Sequence, residues 1–425
     1  MNDIGSASRR NAAPLGGLDR FLRRQLLDRM RGLRHGRLLL EDACGRVEMG
    51  EPAGTHVDLQ IHLQVLDADF YRAVARNGSV GAGESYMDGQ WRCDNLVGLI
   101  QLLVRNRHLL DGMESGLARL GGMAIRLWHA LRRNTRDGSC RNIAAHYDLG
   151  NDFFSLFLSP DLMYSSAIWT DPADTLETAS ARKLERICRK LDLKPTDRVI
   201  EIGTGWGGFA LYAAQNYGCH VTTTTISREQ HALASARVAE AGMGAHVELL
   251  LQDYRDLDGQ YDKLVSIEMV EAIGAPYLDV YFGKLGSLLK PDGLALVQAI
   301  TIEDHRYAQA LKSVDFIKRH VFPGSFIPSI SALLAAKTRA SDLGLIRLED
   351  FGSSYAQTLK AWRERFMARL PQVRAQGFDE RFVRLWEFYL AYCEGGFRER
   401  SIGVAHLLMA KPGHRPAASS PGRLA

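Results

Sequence analysis

The sequence predicts an α/β protein: a mostly parallel sheet covered by helices on both faces, with a small α+β domain ahead of it. Three observations carry this. From Asp197 onward, apolar β-branched runs alternate with helical periodicities, which is the rhythm of βαβ units. Val199-Ile200-Glu201-Ile202 feeds Gly203-Thr204-Gly205-Trp206-Gly207-Gly208, a buried strand entering a glycine turn whose backbone can close on a ligand. A hydrophobic content of 46% and a charged content of 24% over 425 residues suit a globular chain of one large or two ordinary domains.

In chain order, residues 1–16 are small, polar and aperiodic, and read as disordered. Leu18 to Leu33 follows as a short basic amphipathic helix, with Phe21, Leu22, Leu26, Leu27 and Met30 at helical spacing. Residues 1–40 hold nine Arg against three Asp in a chain of net charge +4. Such an arm suggests an anionic partner, a membrane surface or nucleic acid, unless it is a solvated tail. Val57 to Val65 alternates as a strand, with Val57, Leu59, Ile61 and Leu63 on one face. Asp67 to Arg76 reads as a helix, Gly81 to Gly89 as a glycine-punctuated connection, and Leu96 to Val104 as a leucine-rich helix. Leu117 to Arg133 carries Leu120, Met123, Ile125, Leu127, Trp128 and Leu131 beside Arg119, Arg126, Arg132 and Arg133. That pattern suits a helix lying on an anionic bilayer, or one packed on the core with its arginines in water. Residues 1–135 are expected to form the α+β domain.

After Gly138, His146 to Phe154 is a polar turn into an aromatic helix, Leu162 to Trp169 an aromatic-polar loop, and Thr178 to Leu191 an amphipathic helix. The sheet region follows: strands 198–202, 220–226, 247–251, 263–267 and 293–301, with helices 206–217, 228–241 and 277–289. Ser227 to Gln230 has capping-box spacing, and Pro276 sits where a first helical turn tolerates it. Helices are expected at 306–320, 329–342, 355–370 and 378–393, and a strand from Ile402 to Met409 would complete the sheet. The catalytic domain is thus 136–411, and 412–425 reads as a disordered tail. No apolar run reaches the roughly 18 residues of a membrane span, and no signal core opens the chain. The six scattered cysteines, Cys44, Cys93, Cys140, Cys188, Cys219 and Cys393, point to a reducing cytoplasm and away from a metal site.

Two cofactors compete for the glycine turn. Gly203-x-Gly205-x-x-Gly208 matches the dinucleotide fingerprint, whereas Glu201-x-Gly203-x-Gly205 matches the first motif of class I methyltransferases, which bind S-adenosylmethionine. A dinucleotide site wants an acid at the end of the second strand. That strand ends Thr222-Thr-Thr-Thr225-Ile-Ser227, and the next acid, Glu229, falls inside the following helix. Gln252-Asp253-Tyr254 supplies an acid and an aromatic ring suited to adenine. The sulfonium cofactor is the better reading.

The motifs then become more specific. His146-Tyr-Asp-Leu-Gly-Asn-Asp-Phe, Tyr164-Ser-Ser-Ala, Glu201-Ile-Gly-Thr-Gly-Trp-Gly-Gly, Ser266-Ile-Glu-Met-Val-Glu-Ala-Ile-Gly274, Phe322-Pro-Gly324, Tyr355-Ala-Gln-Thr-Leu-Lys-Ala-Trp362 and Tyr392-Cys-Glu-Gly-Gly-Phe397 occur in one order. Over about residues 55–410 the chain resembles the cyclopropane-fatty-acyl-phospholipid synthases and the related mycolic acid cyclopropane synthases. The resemblance implies a class I methyltransferase fold of seven mostly parallel strands, a lipid-binding N-terminal domain, and an unsaturated phospholipid acyl chain as substrate. It also implies peripheral attachment at the inner membrane face, with no nucleic acid as partner and a homodimer left open. By match of motif, Tyr164, Ser165, Glu201, Gly203 and Gly205 would contact the cofactor. Thr225 and Gln230 would lie on its ribose side, and Asp253 and Tyr254 at its adenine.

The chemistry sets further demands. An alkene is a weak nucleophile, so its attack on a sulfonium methyl needs a dry pocket and near-attack geometry. The resulting cation is stabilised by aromatic faces, and ring closure needs a base. The resemblance implies bicarbonate as that base, with Glu271, Tyr355 and the Ser165–Ser166 backbone around it and Glu271 accepting its proton in a hydrogen bond. Glu268 and Glu271 stand together at a strand end, and Cys393 lies in a matched motif as a candidate reactive thiol. Two departures stand out: better-known members carry Cys where this chain has Ser166, and His where it has Gln298, which cannot titrate. They leave open a lipid C-methyltransferase with a methyl-branched or methylene product. His305 is a candidate replacement imidazole, or a surface histidine. A nicotinamide oxidoreductase and a non-catalytic membrane-binding protein are the alternatives from other classes.

Overall fold

The computed structural model describes residues 15–51, 59–111 and 149–415. The expectations for residues 1–14, the strand start at Val57, the helix 117–133, the boundary at 135, the motif opening at His146 and residues 416–425 lie outside them. The chain forms two compact units, Met1–Ile125 with Phe378–Gly395 and Arg126–Gly377 with Gly396–Ala425. The sequence assigns 378–395 to the catalytic part, but in the structure it joins the first unit. The aromatic face of this segment explains the difference. Phe388 packs on Trp91 and Tyr86, and the Tyr86 hydroxyl donates to Glu387 at 2.7 Å.

The first unit holds a four-stranded sheet, in the order β2-β1-β3-β4. Strands β1 (Gly36–Asp42) and β2 (Gly45–Glu51) form a hairpin, β3 (Gln60–Val65) runs parallel to β1, and β4 (Trp91–Cys93) runs antiparallel to β3. Leu59, Ile61, Leu63 and Val65 face the core, as strand alternation requires. The β1–β2 hairpin was not foreseen, because it falls inside a stretch read only for its charge. The helix Gly17–Met30 buries Leu27 and Met30 and leaves Leu18 and Phe21 exposed. Its buried Asp19 is held by Arg72 at 2.7 and 3.0 Å. Gly81 to Gly89 is not an open connection. A helix spans Asp69–Met87, kinked at Gly78. A Cβ on Gly81 would stand 2.0 Å from the Ala73 carbonyl oxygen, so glycine serves here for close packing across the kink.

The second unit is a seven-stranded sheet, in the order β10-β11-β9-β8-β5-β6-β7. Its strands are β5 (Arg198–Ile202), β6 (His220–Thr225), β7 (Val247–Leu251), β8 (Tyr261–Ile267), β9 (Leu289–Ile302), β10 (Gly344–Asp350) and β11 (Ile402–Ala410). The first five pair in parallel, and β11 and β10 add antiparallel. Consecutive residues feed two cores. Ile200, Leu264, Val297 and Leu407 face the helices Leu278–Leu288 and Ile330–Ala340. Val199, Val265, Leu296 and Leu408 face Leu176–Leu191 and Gly208–Tyr217. Strands buried on both faces read as unbroken apolar runs, which is why they were visible in the sequence.

Three details differ from expectation. Strand β10 was missed, since its alternation sits on an exposed edge with Leu345, Ile346 and Leu348 open. The expected helix 306–320 is two helices, Asp304–Lys312 and Phe316–His320, the second capped by Asp315 on the Lys318 amide at 2.9 Å. Residues 411–415 are tied to the sheet by Lys411 N–H to Gly293 and Gly413 N–H to Pro291, each 2.9 Å, so the tail does not begin at 412. Ser227 caps its helix as expected, accepting from the Gln230 amide at 3.3 Å.

Candidate active site

Strand order reverses between β5 and β8, and the carboxyl ends of these neighbours are where an open α/β sheet binds its ligand. At the end of β5, Gly203 and Gly205 take φ of +100° and +53°. A side chain at Gly203 would be strained by this φ and would also press on Met269 at 3.2 Å. Glu201 is buried beneath the turn. It accepts from Thr223 at 2.6 Å, and Thr223 lies 2.7 Å from the Thr204 hydroxyl. Burial pushes its carboxyl up to about 8.

The Thr225 hydroxyl, at the end of β6, donates to Gln230 of the helix Arg228–Glu240 at 2.8 Å, and both are buried. Asp253 forms a two-pronged pair with Arg255, at 2.8 and 2.6 Å. The Tyr254 hydroxyl is buried without a hydrogen-bond partner among the described residues. Tyr164 lies among Phe154, Trp362 and Phe322, with centroids 5.2, 5.3 and 6.4 Å away. The Ser165 hydroxyl accepts from Lys183 at 2.7 Å. This lysine is fully buried, and desolvation lowers it to about 8.

At the end of β8 the expected anion site takes an unexpected form. Ser166, Gln298 and Tyr355 do converge, but on Glu268. Its Oε1 accepts the Ser166 amide at 2.9 Å and the Gln298 amide NH2 at 2.7 Å, and its Oε2 accepts the Tyr355 hydroxyl at 2.7 Å. The Tyr355 ring is stacked on Phe397 at 4.4 Å. Burial raises the Glu268 carboxyl, and the three donors oppose that rise. Glu271, expected at the centre, stands to one side. Its Oε1 accepts the Ile300 amide at 2.5 Å, and its Oε2 is buried without a partner among the described residues. Burial, reinforced by the charge of Glu268, pushes Glu271 to about 8.

Sequence reasoning missed Glu268 as the node and His406 altogether. His406 Nε2 lies 2.9 Å from the side-chain Oε1 of Gln298, so an imidazole does reach this cluster, from β11. His305 is exposed at a helix start. Cys393 falls in the first unit. The bicarbonate expected from the sequence does not fit this arrangement. Its donors are engaged by a carboxylate of the chain, and Glu271 places a second acid beside them.

Residues 134–407 match the model of the mycolic acid cyclopropane synthetase family. The chain belongs to that family. It is 38% identical to the cyclopropane-fatty-acyl-phospholipid synthase of Escherichia coli, over 82% of this chain and 87% of that protein. It is 39% identical to the tuberculostearic acid methyltransferase of Mycobacterium tuberculosis, over 80% of this chain and 81% of that protein. Among solved structures it is similar to the mycolic acid cyclopropane synthase CmaA1 complexed with SAH and CTAB. The TM-score is 0.60 at 30% identity, over 64% of this chain and 98% of that one. The second unit is therefore a class I methyltransferase fold, and the chain is an S-adenosylmethionine-dependent methyltransferase. The nicotinamide reading is set aside.

Proposed function

We propose that this enzyme builds a cyclopropane ring across the cis double bond of an unsaturated phospholipid acyl chain. The observation that carries the reading is a carboxylate cluster around Glu268, one strand from the glycine turn at Gly203. A methyl donor and a proton acceptor are what ring formation requires on adjacent strand ends. S-adenosylmethionine, when bound, supplies an electrophilic methyl on a sulfonium.

The residues fit that cofactor. A Cβ at Gly203 would crowd Met269, and the Tyr254 hydroxyl, without a partner among the described residues, and Asp253 offer polar atoms for an adenine. Tyr164, Ser165, Gly205, Thr225 and Gln230 complete the surround, and Glu201 supports the turn through Thr223. Tyr164 and Phe322 are partly exposed and offer ring faces to stabilise positive charge on the acyl chain, with the buried rings of Phe154 and Trp362 packed against Tyr164. Tyr355, Ser166 and Gln298 hold the carboxylate that faces the reacting carbons.

The test is product analysis. The protein is incubated with methyl-labelled cofactor and vesicles of defined unsaturated phospholipid, and the fatty esters are read by mass spectrometry. A gain of one CH2 with loss of alkene reactivity is the expected result. The same mass gain with the alkene retained selects the second reading, a methyl-branched or methylene product, which the tuberculostearic acid methyltransferase relative favours. Absence of label transfer overturns both.

Attachment to the bilayer is part of the proposal. Among the described residues no helix is long and apolar enough to cross a membrane, and the arginines of residues 1–40 suit an anionic surface. Vesicle binding should weaken with salt and with loss of anionic lipid. Salt-independent binding rules this part out.

A further inference from the structure

We propose that Glu268 is the built-in base of this enzyme, a carboxylate of the chain that accepts the proton released at ring closure, so that turnover needs no free bicarbonate. The inference rests on the lipid-methylene reading above and adds the identity of the proton acceptor.

Four observations support it. First, the three donors suited to an anion are already spent on Glu268: the Ser166 amide, the Gln298 amide NH2 and the Tyr355 hydroxyl, all within 2.7–2.9 Å. Second, an ionised carboxylate has about four acceptor sites. Oε1 receives two of the donors and Oε2 one, which leaves one lone pair on Oε2 for an incoming proton. Third, Glu268 is held in the left-handed region at φ +49°, directly after β8. A non-glycine residue there is strained, and such strain persists where surrounding structure over-determines it. Here the Glu268 amide bonds the Gln298 carbonyl at 2.8 Å, so backbone and side chain are both fixed by β9. Fourth, a free anion placed against the same donors would meet the Glu268 carboxylate, and like charges at one site oppose ionisation.

The alkene electron pair forms a bond from one acyl carbon to the transferred methyl carbon as the carbon–sulfur bond breaks, and sulfur keeps that bond's electrons. The neighbouring acyl carbon is left cationic. A C–H bond of the new methyl then breaks. Its proton goes to Glu268 Oε2, its electron pair closes the ring, and the proton leaves to solvent before the next turnover.

The experiment compares wild type and Glu268→Gly in carbonate-stripped buffer and with added bicarbonate. Glycine relieves the backbone strain at φ +49° and opens the donors. Wild-type label transfer should be the same in both buffers. Glu268→Gly should lose about a hundredfold or more in stripped buffer, the scale of a lost general base, and recover with bicarbonate or formate. Calorimetry gives a readout apart from turnover. Bicarbonate titrated into the cofactor-loaded protein should give no binding heat with wild type and a saturable signal with Glu268→Gly, while cofactor affinity stays intact in both. Wild-type turnover that collapses on carbonate removal and returns with bicarbonate overturns the proposal. So does full activity of Glu268→Gly in stripped buffer. If the variant fails to fold, the two wild-type measurements decide alone. Wild type that transfers no label in either buffer overturns the lipid-methylene reading itself, which is a different result from carbonate dependence.

Discussion

His406 Nε2 and the side-chain oxygen of Gln298 are 2.9 Å apart, on directly opposed residues of the antiparallel pair β11–β9. The other ring nitrogen, Nδ1, lies 2.8 Å from Lys190 Nζ. Lys190 is ion-paired with Glu349, so its ammonium can only donate. Nδ1 therefore accepts, Nε2 carries the proton and donates to the Gln298 oxygen, and the Gln298 NH2 is turned toward Glu268. One surface-side cation thus sets a tautomer, an amide orientation and the last donor to the carboxylate.

Replacing His406 with Phe should disturb this line without touching the cofactor turn. Turnover is expected to fall by about tenfold to a hundredfold, the scale of a misplaced catalytic group, with cofactor affinity unchanged by calorimetry. A pH signature accompanies it. Burial first, then Lys190, Lys183 and Arg186, hold His406 well below its ordinary value. The unfolded chain therefore binds a proton that the folded one refuses once pH falls below the ordinary imidazole range. Wild type should lose stability as pH drops through that range, and His406→Phe should lose less of it, as read by urea midpoints at neutral and mildly acid pH.

Glu271 gives a prediction of opposite sign. With its carboxyl raised to about 8, it is protonated at neutral pH, with Oε1 accepting from Ile300 and Oε2 able to donate. A glutamine reproduces both roles. Glu271→Gln should keep most neutral-pH turnover, whereas Glu271→Ala should lose far more. The raised value also means that the folded state holds the proton more firmly than the unfolded one. Stability from this group is therefore full below the ordinary carboxyl range and is lost as pH rises toward about 8. Glu271→Gln should flatten that alkaline loss in denaturation curves, and equal curves for both proteins would refute it.

The contrast between these two acids shows what was legible in the sequence. Strands β5 to β9 and the glycine turn could be read because doubly buried strands leave continuous apolar runs, and glycines at positive φ have few substitutes. The pair Glu268 and Glu271 was visible at a strand end, but the choice between them was not. The donors to Glu268 lie 102, 30 and 87 residues away in the chain, and only the folded sheet brings them together. His406 was hidden for a related reason. Its partner sits across an antiparallel register, while His305, the histidine nearest Gln298 in sequence, is exposed. Had β11 been aligned against β9 strand to strand, His406 would have faced Gln298.

The cofactor turn is tested by Gly203→Ala. The added methyl would meet Met269 at 3.2 Å in a backbone held at φ +100°, a conformation that costs an L-residue about 1–3 kcal/mol. Cofactor titration should show affinity lost or sharply reduced, with urea denaturation shifted to lower midpoint. Unchanged affinity would mean that this turn does not carry the cofactor.

Thr358 ties the loop that bears Ser165 and Ser166 to the helix that bears Tyr355. Its hydroxyl accepts the Ala167 amide at 3.1 Å and the Trp169 indole N–H at 3.0 Å, and donates to the Ser354 carbonyl at 2.8 Å. Thr358→Val keeps the shape of the side chain and removes both acceptances. Two donors are then left unpaired, each costing about 1–3 kcal/mol where it is buried. The Ala167 amide directly follows Ser166, whose own amide donates to Glu268. Loss of the tether therefore reaches the carboxylate through one peptide unit. The variant should unfold at lower urea and show reduced turnover with cofactor affinity less affected. Thr358→Ser, which retains the oxygen, should restore both; failure of serine to do so would assign the effect to lost methyl packing instead of the hydroxyl.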